Sequence, residues 1–200
     1  EMKAGNYDMA SMPADQYDTY KDLSNITLLG TITNSISYVG FNMGHFDKAT
    51  GEHVFEPGKK MSDPALRKAI AYALDNDQVA NETYQGLRIS ANTLLSPFFG
   101  EIYADKSEIP GFTYNPEESK KILADAGYKD TDGDGYVEDK DGKQLTITLL
   151  VATGSQTDDA VVQQYIEWWK NVGLRVELLN GRALEFNSYA EKLTKYADDF

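Results

Sequence analysis

The chain has 200 residues, 41% hydrophobic and 26% charged, and its 32 acids against 19 Lys and Arg leave a net charge of −13 at pH 7. Such a chain can bury one sizeable core or form one large piece of a bigger protein, and its acidic excess excludes binding to a phosphate backbone, so no nucleic acid is expected as partner. With no cysteine, disulfides, thiolate metal sites and cysteine nucleophiles are excluded.

No apolar run approaches the roughly 20 residues of a membrane span. No signal peptide precedes Glu1, and residues 2–10 begin with neither a capping residue nor a strand lead-in, so the start reads as the middle of something longer. The first 35 residues are polar and Tyr-rich. Tyr17, Tyr20 and Leu23 line one side of a short helix, and a strand is expected at 26–29. Residues 37–43 alternate and are rich in β-formers, which predicts a second strand. The 46–60 stretch carries Gly51, Pro57 and Gly58 without a period and reads as a loop or hairpin.

Ser62-Asp63-Pro64 is a helix start, a capping residue followed by Pro at the first helical position. Ala65, Ala69, Ile70, Ala73 and Leu74 supply its buried stripe. Asp75-Asn76-Asp77 opens a further helix that carries Val79, Ala80 and Tyr84 and stops at Gly86. Residues 87–111 are irregular. Asn115-Pro116-Glu117 caps another helix, which ends at Gly127. Leu145, Ile147, Leu149 and Val151 alternate as a strand; a helix follows over 158–172 with Thr157 as N-cap, and Leu174, Val176 and Leu178 form the next strand. Strand, helix, strand with short links is a βαβ unit with parallel strands. A last helix spans 185–195. The fold class is therefore α/β, a mixed sheet flanked by helices.

The most chemically specific stretch is 130–141, Asp-Thr-Asp-Gly-Asp-Gly-Tyr-Val-Glu-Asp-Lys-Asp. Counted as an EF-hand-like loop, Asp130, Asp132 and Asp134 take positions 1, 3 and 5, Gly135 the sharp turn, Tyr136 a carbonyl at 7, and Asp141 position 12. Alternate carboxylates on a tight loop can surround the six to eight oxygens that Ca2+ requires. Asp in place of the usual Glu at the last position shortens the bidentate arm, which lowers affinity; Glu138, at position 9, acts through water. The competing reading is an acidic surface turn, with Asp141-Gly142 as a hairpin turn before the next strand. From Glu101 to Asp141 twelve acids face five lysines, a surface that attracts cations.

Other chemistry is thin. His45 and His53 sit in or beside the irregular excursion, with nothing to place either in a catalytic triad. Gly133 and Gly135 lie among carboxylates that repel phosphate. Trp168 and Trp169 are adjacent on a helix, so one packs inward and the other lies at the surface. Arg67 follows Asp63 by one turn and reads as its salt-bridge partner, a clamp for a ligand carboxylate being the competing reading. The turn before the 158–172 helix presents backbone N–H groups at the C-terminal end of a strand, where open α/β sheets bind ligands.

The order of segments resembles the extracellular solute-binding proteins of the oligopeptide/dipeptide type that serve ABC importers. Ala4-Gly5-Asn6-Tyr7-Asp8 is similar to the family's A-G-E-x-D segment, Tyr38 to Asn42 to its Y-x-x-F-N strand, and residues 62–77 to D-x-R-V-R-x-A-I-x-Y-A-I-D-R-x, with Leu66-Arg67 at V-R and Pro64 departing from the pattern. Tyr114-Asn115-Pro116-Glu117 with residues 122–128 resembles Y-D-P-E-K-A-x-x-L-L-A-E-A-G-Y, and the acidic loop, strand and W-x-x-x-G segments follow in family order. Each block is weak alone; together they cover nearly the whole chain.

The resemblance implies one lobe of a two-lobed periplasmic-binding-protein-like fold, residues 1–200 forming part of the second, C-terminal lobe, with the 130–141 loop inside it. It implies a monomer without catalytic activity, periplasmic or lipid-anchored outside a bacterial cell, binding oligopeptides and delivering them to membrane permease subunits. A W-x-x-D segment, whose acid holds the peptide's amino terminus in such proteins, is expected beyond Phe200. An extracellular hydrolase and a calcium-dependent adhesion module are the competing classes. For the cleft the expectation falls on Tyr38, Gly40 and Asn42, which point one way if they lie in a strand, Gly40 either admitting a ligand backbone or relieving crowding under a helix. Thr93, Leu94 and Ser96, and Ser155, Gln156 and Thr157 at the helix start, add contacts. No cofactor is required beyond possible structural Ca2+.

Overall fold

The computed structural model describes residues 2–12 and 16–195. In chain order its elements are α1 (Tyr17–Tyr20), β1 (Gly44–Asp47), β2 (Glu52–Phe55), α2 (Pro64–Tyr72), α3 (Asn76–Gln78), α4 (Pro116–Asp125), β3 (Thr146–Leu149), α5 (Gln156–Asn171), β4 (Arg175–Leu178) and α6 (Phe186–Thr194). The chain divides into two units: Glu1–Tyr38 with Asn76–Gly111, and Val39–Asp75 with Phe112–Phe200.

The second unit holds the core. Pro64 opens α2 because its missing N–H falls where no intrahelical partner exists, and the Asp63 carboxylate accepts from the Ala65 N–H at 2.9 Å. Leu66, Ala69 and Ile70 form the buried stripe of α2 and pack with Leu123 of α4, Trp169 of α5, and Leu145, Ile147, Leu174 and Val176 of the βαβ unit. The two helices approach closely at Ser119, which is fully buried and donates its hydroxyl to the Ala69 carbonyl at 2.7 Å. Asn115 caps α4 by accepting from Glu118 N–H at 3.0 Å. Trp169 is buried, its indole N–H donating to the Ile70 carbonyl at 3.1 Å, while Trp168 is half-buried. The adjacent tryptophans thus divide between core and boundary, as helical geometry requires.

β3 and β4 pair in parallel, Ile147 opposite Val176, with α5 as the crossover. Gly173, at φ 85, ends α5 in the left-handed region that a side chain disfavours. The other ladder is the antiparallel hairpin β1–β2, Gly44 opposite Phe55. Gly44 is required there, since a Cβ would lie 1.8 Å from the Val54 carbonyl oxygen.

The α/β class stands; among the described residues the sheet structure consists of two two-stranded ladders, one parallel and one antiparallel. The strands expected at 26–29 and 37–43 are absent; both stretches run without a ladder, and the first strand begins at Gly44. β-branched and aromatic residues favour a strand only where a neighbour supplies hydrogen bonds. The N-cap of α5 is Ser155 rather than Thr157. Its hydroxyl accepts from Asp158 N–H at 3.1 Å while the Asp158 side chain accepts from the Ser155 N–H, a reciprocal box that starts the helix two residues early. Arg67 donates to the Met61 carbonyl, not to Asp63.

In the first unit α3 passes directly into a π turn, Val79–Thr83, so the helix expected to Gly86 is shorter and wider. Gln85 at φ 53 and Gly86 at φ 75 then reverse the chain, and the Gly86 N–H reaches back to the Ala80 carbonyl at 2.9 Å. Among the described residues of this unit only Val79, Ala80 and Tyr84 are fully buried apolar side chains.

Candidate functional site

The residues expected to line a cleft are distributed over both units. Tyr38 ends the first stretch of one unit and is 75% exposed. Gly40 is exposed and Asn42 half-buried in the other unit, where the Asn42 carboxamide oxygen accepts from the Gly44 N–H at 3.3 Å and leads the chain into β1. Without a strand, alternation does not place these three on one face. In the first unit Leu94 is 71% exposed, and Thr93 accepts from the Leu95 N–H at 3.1 Å. Ser96 is buried; its hydroxyl donates to the Thr33 carbonyl and accepts from the Phe98 N–H at 3.2 Å, starting the Pro97–Ile102 3-10 turn. Ser155, Gln156 and Thr157 begin α5, and the Asp158 carboxylate already occupies the N–H-rich end. That negative group makes the helix start unsuited to an anionic ligand group.

Local Asx geometry folds the acidic loop. Asp130 accepts from Gly133 N–H at 2.6 Å and from Gly135 N–H at 3.0 Å, and both glycines have positive φ. Asp132 accepts from Asp134 N–H at 3.1 Å, and Asp134 from Tyr136 N–H at 2.9 Å. The other Asp134 oxygen pairs with the Arg175 guanidinium, which lies 4.1 Å from the Tyr136 ring centroid. Carboxylate oxygens of Asp130, Asp132 and Glu138 lie within 4.8 Å of one another. Glu138, 6% exposed, also accepts from the N–H and hydroxyl of Thr131, both at 2.7 Å. Asp141 sits in the following turn, where Asp139 accepts from the Asp141 and Lys143 N–H groups at 2.9 Å. The three gathered carboxylates are the groups that could hold one hard cation together; Arg175 already serves Asp134.

Two polar clusters were not legible in the sequence. In the first unit Lys106 and Ser90 both donate to Asp77, and those hydrogen bonds hold its carboxyl below the usual range. In the second unit Asp63 accepts from the Tyr128 hydroxyl at 2.8 Å and pairs with Lys140 at 2.6 Å. Burial works to raise the Asp63 carboxyl, but hydrogen bonds from Lys140, the Ala65 N–H and Tyr128 outweigh it and leave the group below its ordinary value. Burial, then the bond to Asp63, pushes the Tyr128 phenol up. An open groove of about 470 Å³ runs beside this cluster. Its lysines face as many aspartates, so it selects no sign of charge.

The solved lactococcal oligopeptide-binding protein OppA, closed on an endogenous peptide, superposes on the whole of this chain with a TM-score of 0.88 at 31% identity, using 37% of that chain. The Bacillus subtilis oligopeptide-binding protein AppA, solved with a nonapeptide, matches 96% of this chain at a TM-score of 0.75 and 26% identity, using 34% of its own. Both are of periplasmic-binding-protein type, and the described elements are a part of that two-lobed fold. The model of the bacterial extracellular solute-binding proteins, family 5 Middle, matches residues 1–197, and the chain belongs to that family. In sequence, the oligopeptide-binding protein OppA of Lactococcus lactis subsp. cremoris (strain SK11) is 32% identical over 195 residues, 96% of this chain and 32% of its own length. The chain thus spans about a third of the length of the curated relatives it matches.

Proposed function

We propose that this chain is part of the substrate-binding component of an ABC importer, in which it contributes one lobe of a cleft for extracellular oligopeptides. The observation that carries the reading is the superposition of the entire chain on a peptide-bound solute-binding protein at 31% identity. The protein works by holding and releasing, with no catalysis of its own, as a monomer that docks on membrane permease subunits. It acts outside the cytoplasmic membrane, in a periplasm or held by a lipid anchor. No helix among the described residues is long and apolar enough to cross a membrane. Tyr38, Gly40, Asn42, Thr93, Leu94 and Ser96, with Ser155 to Thr157, are proposed to contribute to the peptide cleft. Ca2+ in the 130–141 loop is proposed as a structural ion that relieves repulsion among the carboxylates.

Calorimetric titration of the complete gene product with a mixture of four- to ten-residue peptides tests the reading. Saturable binding with the peptides recovered intact supports it. Cleavage of the peptides favours a hydrolase, and binding of oligosaccharides but not peptides moves the substrate class.

A further inference from the structure

The Asp77 carboxylate accepts from two residues that lie 16 positions apart, Ser90 and Lys106. The Lys106 ammonium also donates to the Ser90 hydroxyl at 2.8 Å, so the three side chains close a ring. Beside them the Asn92 carboxamide donates to the Ile109 carbonyl at 3.1 Å and to that of Lys106 at 3.4 Å. Gly111 makes room for this group, since a Cβ there would stand 2.1 Å from Asn92 Cγ. Among the described residues no backbone bond joins 89–95 to 103–111, so side chains rather than a ladder hold the two arms together. The stretch between them is an Ω-type loop, its ends close and its middle on the surface. It turns through Pro97–Ile102, is tied to the Thr33 carbonyl by Ser96, and leaves Leu94, Phe98 and Ile102 exposed.

We propose that Asp77, with Ser90, Asn92 and Lys106, is a positioning group that fastens the 92–106 loop in its ligand-ready form, so that affinity depends on side chains that touch no ligand. The proposal rests on the reading above that Thr93, Leu94 and Ser96 of this loop belong to the peptide cleft. The Asp77–Lys106 pair, with side chains 60% and 39% exposed, contributes little to global stability. Its effect comes from where it acts. Pinning both arms removes closure and ordering entropy from the loop before a ligand arrives, and binding then no longer has to supply it. Where only a fraction of the unliganded protein holds the competent form, the apparent affinity falls by that fraction. Unfastening that leaves about one molecule in five competent weakens binding about fivefold.

Three variants of the complete gene product test it. Lys106→Met keeps the aliphatic stem and Asn92→Ala removes the carboxamide, each releasing one fastener, while Lys106→Arg keeps the charge. The measurements are nonapeptide affinity by calorimetry, the melting temperature, and amide exchange of 93–105 without peptide. Lys106→Met and Asn92→Ala are each expected to weaken affinity about fivefold and to speed exchange of 93–105 about tenfold. The melting temperature should stay nearly unchanged, with Lys106→Arg close to wild type throughout. Exchange and affinity both unaltered overturn the proposal and leave the cleft assignment standing. Faster exchange with unaltered affinity overturns the positioning role and removes Thr93, Leu94 and Ser96 from the cleft. Weaker affinity with a lowered melting temperature and faster exchange along the whole chain makes the cluster a general stabiliser and overturns the proposal too. Absence of nonapeptide binding by wild type is failure of the peptide reading, seen before any variant is made, and it ends the positioning role as well.

Discussion

Tyr128 donates its phenolic hydroxyl to the Asp63 carboxylate at 2.8 Å across 65 positions of chain. The same carboxylate caps α2 through the Ala65 N–H and pairs with Lys140. One side chain therefore joins the start of a helix, the end of the α4 region and the turn after the acidic loop. Asp63→Ala should lose a cap, about 1 kcal/mol, and leave a buried hydroxyl without its acceptor, a further 1–3 kcal/mol or so. Urea unfolding followed by tryptophan fluorescence measures the sum. Tyr128→Phe removes one hydrogen bond and should cost only about 1 kcal/mol. Equal losses in the two variants would mean that the cap is worth nothing here.

The same residue sets a pH dependence. Asp63 is held below its ordinary carboxylate value in the folded chain. A depressed carboxyl contributes stability that is fully present above its unfolded pKa, about 3.9, and is lost as pH falls through its lower folded value. Between pH 7 and 5 its contribution should be flat; the decline should begin near pH 4 and continue below it. Melting curves of wild type and Asp63→Asn should converge toward acid, the variant being the flatter. Parallel curves down to pH 2.5 would remove Asp63 from the acid limb.

Leu174 is fully buried between α5 and β4. Leu174→Ala should cost about 2–5 kcal/mol, since a cavity in a packed core adds to the lost transfer energy. Leu94→Ala, at a side chain 71% exposed, should change the stability of the 200-residue chain by less than about 0.5 kcal/mol. Denaturant titration of both variants checks the contrast.

The acidic loop predicts a calcium response. If the ion binds the folded loop alone, Ca2+ at a hundred times its dissociation constant should stabilise the chain by about 2.7 kcal/mol. Thermal melts in excess chelator and in millimolar Ca2+ measure this. Asp130→Asn with Asp132→Asn should abolish the difference, because these two with Glu138 are the carboxylates gathered within 4.8 Å. Identical melts of wild type with and without Ca2+ would leave the loop a charged turn.

For the peptide cleft, Gly40→Val in the complete gene product should weaken peptide binding about tenfold, one clash or lost hydrogen bond in free-energy terms, with the melting temperature nearly unchanged. Affinity equal to wild type would remove Gly40 from the cleft. A lowered melting temperature with intact affinity would assign it to packing.

Much of the second unit was legible in the linear sequence because its signals are local. Asp63-Pro64, Asn115-Pro116 and the apolar stripe of α2 declare their helices within one or two turns, and the alternation at Leu145–Leu149 and Leu174–Leu178 declares two parallel strands once a helix lies between them. The N-cap of α5 was misplaced by two residues because Ser155 and Thr157 are both capable of capping, and the reciprocal bond with Asp158 selects Ser155.

Residue type and spacing by themselves determined the helix starts, the glycine stops, the βαβ unit and the loop that concentrates carboxylates, since each depends on neighbours within a few positions. Tertiary structure decided which carboxylates meet. Glu138 joins Asp130 and Asp132 through the bridges that fold 129–144, and Arg175, 41 positions away, takes Asp134. It also decided that 27–43 forms no strand among the described residues despite its β-forming composition. A helix satisfies its hydrogen bonds within its own segment, so sequence can specify it; a strand and a charge cluster are completed by groups that the chain supplies from elsewhere.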